Sequence, residues 1–431
     1  MFFKLLKDAL KVKNVRNKIL FTIFIIFVFR VGTHVTVPGI NAESLKQLSD
    51  LPFLNMLNLV SGNAMNNFSI FSMGVSPYIT ASIIVQLLQM DIYPKFVEWG
   101  KQGEVGRRKL NQATRYITLV LAFVQSIGIT ASFNTLSSIS LVKTPNVSTY
   151  LLIGTILTAG SIIVTWLGEQ ITDKGFGNGV SMIIFSGIIA SIPKMFSTIY
   201  EDFFVNVRSG ELTRSYIIVA LLIVVGLAIV FFTTFVQQAE YQIPIQYTKL
   251  VQGAPTSSYL PLKVNPAGVI PVIFASSVTT IPSTILPFFS KVTWLSHLQG
   301  LLSYNTPSGM ITYAILIILF SFFYTFVQVN PEKTAENLQK NGSYIPSVRP
   351  GRETEKYLSS LLKRLATIGG VFLAFISLAP IVAQQFMNLT SSIALGGTSL
   401  LILISTGIEG MKQLEGYLLK RQYVGFMNRE D

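Results

Sequence analysis

The sequence predicts an all-α, polytopic membrane protein with ten transmembrane helices, and three observations carry that prediction. Half of the 431 residues are hydrophobic and only 12% are charged, more apolar surface than a soluble chain of this size hides. The apolar residues fall in about ten runs suited to a hydrocarbon core of about 30 Å, which takes roughly 20 residues of helix to cross. Runs such as YIIVALLIVVGLAIVFF at 216–232 lack the alternation of a membrane β-barrel strand.

In chain order the spans are predicted at 19–37, 75–90, 114–134, 150–168, 179–197, 215–236, 266–289, 309–329, 366–387 and 393–410. The basic opening leads into the first run with no small-residue cleavage site after it, so that run is expected to remain as a span. The second span opens on GVSPYITASII at 74–84 and the seventh on GVIPVIFASSV at 268–278, so that G-V-x-P-x-I-x-A-S recurs 194 positions apart. Pro77 and Pro271 are each predicted in a first helical turn, where the missing N–H costs little. Chance recurrence of a short apolar word is the alternative to a repeat.

Basic residues set the orientation, because they accumulate on the cytoplasmic side. Alternate segments, counted from the N-terminal arm, hold 26 of the 33 Lys and Arg and the others hold 6, with Arg30 inside the first span. Both termini are therefore expected in the cytoplasm, where the net charge of +13 meets anionic lipid or cytoplasmic partners. The spans divide into two sets of five, 1–214 and 215–431, and an odd number per half inverts the second half relative to the first. Inverted repeats of this kind place a pathway between two halves in many transport proteins.

Between the first two spans lies LNMLNLVSGNAMNNFSIFSMG at 54–74, apolar but interrupted by Asn58, Ser61, Gly62, Asn63, Asn66, Asn67 and Ser69. Irregular backbone at membrane depth survives only inside protein or beside a water-filled cavity. Two readings stay open: a half-helix folding back into a central cavity, or an amphipathic helix on the outer surface.

Several chemistries are disfavoured. Cysteine is absent, which removes disulfides and thiolate ligands. His34 and His297, the two histidines, are predicted near span ends as surface side chains. No span centre carries Lys, Asp, Glu or His for ion coupling, since Glu169 and Glu409 fall at span ends. Phosphate-cradling, HExxH and GxSxG motifs are missing, and the adjacent carboxylates Glu201-Asp202 and Glu430-Asp431 read as solvated surface. No enzyme, metal or cofactor is expected. Cytoplasmic bulk does stand out: segment 330–365 holds seven basic residues, its ETEKYLSSLLKRL stretch has helical spacing, and its SVRPGRE turn presents Arg349 and Arg352.

Six stretches together resemble the SecY/Sec61-alpha family, the channel subunits of the Sec protein translocase: GVSPYITASIIVQLL (74–88), GEVGRRKLNQATRY (103–116), WLGEQITDKGFGNGVS (166–181), LPLKVNPAGVIPVIFASS (260–277), SVRPGRETEKYL (347–358) and GGTSLLILISTGIEGMKQLEGYLLKR (396–421). The resemblance implies a clamshell of two five-helix halves around a central pore, with the second and seventh spans forming a lateral gate. It implies a pore ring of Ile79, Ile83, Val180, Ile184, Ile270, Ile273 and Ile402, although ordinary helix packing would use the same residue types. Residues 55–72, with Ser61, Gly62, Asn63, Asn66 and Asn67, would form a plug. Loops 238–265 and 330–365 would dock the SecA motor or the ribosome through Lys249, Arg349 and Arg352. Lys249 stands where many relatives carry several arginines, Phe176 replaces an aliphatic residue, and Thr36 replaces a proline. The implied partners are SecE, SecG, SecA, the ribosome, preprotein substrates and membrane lipids, in the bacterial cytoplasmic membrane. A secondary transporter and a poreless insertase or scaffold are the rival readings. On this topology, cysteines introduced at Ser257 and Ser343 are expected to react with impermeant thiol reagents only from the cytoplasmic side, and one at Ser138 only from outside; reversed labelling would overturn the orientation.

Overall fold

The computed structural model describes residues 9–41, 58, 61, 62, 64–136, 141–205, 212–247, 257–285, 306–387 and 397–427. Its helices are α1 (Lys13–Gly32), α2 (Ser76–Leu87), α3 (Pro94–Lys101), α4 (Gly103–Leu136), α5 (Val147–Lys174), α6 (Gly179–Tyr200), α7 (Leu212–Gln238), α8 (Ile270–Ile285), α9 (Pro307–Gln328), α10 (Pro331–Lys340), α11 (Arg352–Met387) and α12 (Gly397–Met427). All ten predicted spans have a counterpart, with α3 and α10 as additional short helices in loops. Six helices, α4, α5, α6, α7, α9 and α11, are long and apolar enough to cross a membrane by themselves. Three of the others fall short for visible reasons: α1 carries Lys13, Arg16, Lys18 and Arg30, α12 is charged beyond Glu409, and α2 is 12 residues long; α8 is described only as far as Ile285.

Those two short helices carry the repeat, and their approach is the same. Gly74 and Gly268 both adopt left-handed backbone, at φ 53° and 64°, which glycine enters without a Cβ penalty; Pro77 and Pro271 then fall in the first helical turns. α2 packs directly against α8. Further contacts join α4 to α8 and α6 to α12.

One apolar cluster spans the interior, drawing Phe29 from α1, Val164 from α5, Ile317 from α9 and Leu373 from α11 around the residues of α2, α6, α8 and α12. α7 is the exception, with 6% of its apolar window buried, so nearly its whole surface is left for lipid or a partner helix. The loop before α6 ties elements together through its backbone. Asn178 Oδ1 accepts from the Val180 and Ser181 N–H groups, capping α6. The Phe176 N–H donates to Thr22 Oγ1 of α1 at 3.2 Å, and the Gly177 N–H donates to Gln413 Oε1 of α12. Phe176, the departure noted from sequence, packs its ring beside Gly410. On the same side of the fold, Arg115 of α4 makes a two-pronged pair with Glu169 of α5 at 3.1 and 2.6 Å.

Two expectations are corrected. The first span, expected at 19–37, is helical only over Lys13–Gly32, because Val35 and Val37, β-branched and counted as helix, are extended and pair with residues 68–70. The loops 238–265 and 330–365 meet in a feature the sequence reading did not include: β1 (Glu240–Tyr247), β2 (Ser257–Lys263) and β3 (Ser343–Tyr344) form a small antiparallel sheet of order β2-β1-β3 on the otherwise all-α fold. Ile243, Leu262, Leu338, Leu358 and Leu362 make its apolar floor. Finally, Ser343 is buried at 4% exposure, and the exposed Lys340 is the accessible labelling position on that loop.

The predicted amphipathic stretch at 353–365 and the ninth span are a single helix of 36 residues, which ties the three-stranded sheet to the interior. Leu362 is fully buried in the joint. Leu362→Ala is expected to cost about 2–4 kcal/mol, read as a lower thermal midpoint and faster proteolysis within 238–265; an unchanged midpoint would mean that the sheet and α11 are not coupled.

Candidate functional site

The seven predicted ring residues come from four helices and converge. Ile79 and Ile83 of α2, Ile184 of α6, Ile273 of α8 and Ile402 of α12 are buried within the central cluster, and Val180 and Ile270 pack against it from partly buried positions. Spacings of three and four put each pair on one helix face. An aliphatic constriction of this kind excludes water and ions by dewetting and yields to a passing chain by side-chain movement.

The segment between the first two spans abuts that ring. Its Ala64 and Phe71 belong to the same cluster, and Phe71 stacks on Phe29 of α1 with ring centroids 5.9 Å apart. Among its described residues, Asn58 and Ser61 are helical and Ala64–Asn67 form one 3₁₀ turn; Asn58, Ser61, Ala64, Met65, Phe68, Ser69 and Ser72 are buried, which does not fit an amphipathic helix on the outer surface.

The polar residues that interrupt the segment satisfy its irregular backbone. Asn58 and Asn66 form a reciprocal pair, Nδ2 to Oδ1 at 2.6 Å and the Asn66 N–H to Asn58 Oδ1 at 3.0 Å. Ser72 Oγ donates to the Ala64 carbonyl at 3.1 Å. At the C-terminal end, the Val37 N–H donates to the Phe68 carbonyl and the Ile70 N–H to the Val35 carbonyl, Asn67 Nδ2 reaches the Thr33 carbonyl at 3.4 Å, and Ser161 Oγ of α5 donates to the Gly74 carbonyl at 3.0 Å. Asn63 lies outside the described residues.

On the 330–365 loop, Arg349 and Arg352 are exposed, and neither holds an ion pair among the described residues. The turn that presents them is fixed from within: Ser347 and Gly351 take positive φ of 67° and 95°, and the buried Thr354 donates its hydroxyl to the Arg349 carbonyl at 2.9 Å. Lys249 lies outside the described residues.

Sequence reasoning missed three features. The Thr22 and Gln413 clasp on the loop before α6 has no sequence signal. Gly187 of α6 lies so close to Gly62 that a Cβ there would overlap the Gly62 Cα, and a glycine inside an apolar helix was the only hint. Arg30 Nη1 donates to the Gly62 carbonyl at 2.7 Å; a lone basic residue within a span was the signal.

Comparison with known proteins gives a consistent result. The SecY family model matches residues 69–411. The protein translocase subunit SecY of Streptococcus gordonii is 71% identical over 432 residues, covering 99% of each chain. Among solved structures, a SecY protein whose plug domain is described as stabilising the closed state of the translocation channel and maintaining a membrane seal aligns with a TM-score of 0.66 at 16% identity, over 93% of this chain and 91% of that one. Sec61 in a canine ribosome–channel complex from the endoplasmic reticulum aligns with a TM-score of 0.62 at 15% identity, over 93% and 91%.

Proposed function

The chain belongs to the SecY family, and on that premise we propose that it is a protein-conducting channel, one that passes unfolded preproteins across the cytoplasmic membrane and releases hydrophobic segments sideways into lipid. The observation that carries the reading is the convergence of the aliphatic residues of α2, α6, α8 and α12 against a buried, irregular segment. In this reading Ile79, Ile83, Val180, Ile184, Ile270, Ile273 and Ile402 form the pore ring, the 55–72 segment is the plug, and the α2/α8 contact is the lateral gate between halves 1–214 and 215–431. The chain performs no chemistry of its own; energy comes from a motor or from ribosomal elongation.

The partners proposed are SecE and SecG within the membrane, SecA and the ribosome at the cytoplasmic loops, and preproteins and lipid at the pore and gate, with both termini cytoplasmic. The exposed face of α7 supports a helical partner, because an apolar surface of that size needs cover from lipid or protein. Arg349 and Arg352 support docking at the 330–365 loop, since a guanidinium offers a planar fork of donors to carboxylates or phosphates.

Two measurements test this reading. Changing Ile83, Ile184 and Ile273 together to Asn supplies hydrogen-bonding groups at the constriction, and the resting ion conductance of reconstituted channels is expected to rise without substrate; unchanged conductance in a folded triple variant would return these residues to ordinary packing. Arg349→Glu is expected to abolish most SecA-driven transport of a preprotein into vesicles while the thermal midpoint stays within about 1 °C, because an exposed charge contributes little to stability. Transport at the parent rate by the Glu variant would remove Arg349 from the docking surface.

A further inference from the structure

We propose that Arg30 is the positioning residue that holds the plug in its resting seat, acting through the carbonyl of Gly62. The inference rests on reading the 55–72 segment as a plug. Among the described residues, the two ends of that segment are held differently. Residues 67–74 are stitched to their surroundings by the Val37, Asn67, Ile70 and Ser161 hydrogen bonds, which makes this end a fixed base. The part before it satisfies itself through Asn58, Asn66 and Ser72. What reaches it from a distant element is the 2.7 Å hydrogen bond from Arg30 Nη1 to the Gly62 carbonyl.

The geometry suits a releasable tie. Arg30 is half-buried near the end of α1, and no carboxylate lies within ion-pair distance of it among the described residues. A charge-assisted hydrogen bond to a carbonyl is about twice as strong as a neutral one in such surroundings. Gly62 adopts a φ of 66°, and its Cα meets Gly187 with no room for a side chain between them. The contact therefore registers one position of the segment: a shift of an ångström or two both uncovers Gly187 and takes the carbonyl out of reach of the guanidinium. Losing the tie frees Gly62 to move away from Gly187 while the base at 67–74 stays paired.

The chain has no cysteine, so a single Ala64→Cys, at a position with 0% exposure, reports opening of the segment to an impermeant thiol reagent applied from the outer face. The assay uses the chain reconstituted with its co-purifying subunits and compares Arg30→Met with Gly187→Leu, which displaces Gly62 sterically. Arg30→Met is expected to raise the labelling rate at position 64 about tenfold, the loss of one hydrogen bond to a charged donor, while a cysteine at the equally buried Leu157 of α5 stays unlabelled. A rise at both positions would make Arg30 a general structural residue and overturn the proposal. Unchanged labelling in Arg30→Met beside faster labelling in Gly187→Leu would overturn the tie and leave the plug standing; no change in either would overturn the plug as well. Should Arg30→Met not accumulate as folded protein, Arg30→Lys keeps the charge on a shorter side chain, and a rise of about threefold at position 64 is expected from the longer contact to the Gly62 carbonyl; parent labelling would overturn the proposal.

Discussion

The arrangement depends on one constraint: irregular backbone placed at membrane depth must find its hydrogen bonds inside the protein, because lipid supplies none. Residues 61–75 break regular helix next to the apolar centre of the chain, and every neighbouring element is arranged around them. α1 stops at Gly32 so that Val35 and Val37 can run extended and pair with Phe68 and Ile70. α5 offers Ser161 to the Gly74 carbonyl, and its Gly160 leaves space for the Ile70 carbonyl, where a Cβ would collide. The asparagines that look misplaced in an apolar stretch are the reason that the stretch can be buried.

In the proposed channel the aliphatic ring would solve the opposite problem. Its side chains have no polar atoms to satisfy, so it would close by packing and by exclusion of water, and open without leaving a broken hydrogen bond behind. A constriction assembled from α2, α6, α8 and α12 would change whenever α2 and α8 separated, so that on this reading the lateral contact and the central closure form one mechanical system. α4 touches α8 and α6 touches α12, and the clasp from Phe176 and Gly177 to Thr22 and Gln413 adds a second link across the interior. Separation at α2/α8 has these contacts to turn against.

Much of this was legible in the residues, and the parts that were not have physical explanations. The ten spans and the repeated G-V-x-P entry follow from hydropathy and from proline's tolerance for a first turn. The short 353–365 amphipathic pattern was visible, but its continuity with the next span was not, since no residue between them breaks a helix and none announces that fact. The sheet escaped because EYQIPIQY and SSYLPLK each contain a proline, which argues against a strand; in the fold Pro244 faces Tyr259 and Pro261 faces Gln242 at the sheet's β1–β2 ladder. The VTV at 35–37 was misread as helix because apolarity alone does not separate a short buried extended run from a helical turn. The ring residues were named by resemblance, since isoleucines at helical spacing are equally the signature of an ordinary core.

The uninterrupted course of α11 from the SVRPGRE turn into the apolar interior has a mechanical consequence. Thirty-six residues of helix make a rod about 54 Å long at about 1.5 Å per residue, anchored at one end against the three-stranded sheet and packed further along beside Phe320 and Ile317 of α9. Such a rod acts as a lever. A tilt of about 5° applied at its exposed end moves the stretch before Pro380, about 42 Å along the helix, through about 4 Å, roughly the width of a side chain, and Gly369, Gly370 and Pro380 are the positions at which the helix can bend and absorb part of that movement.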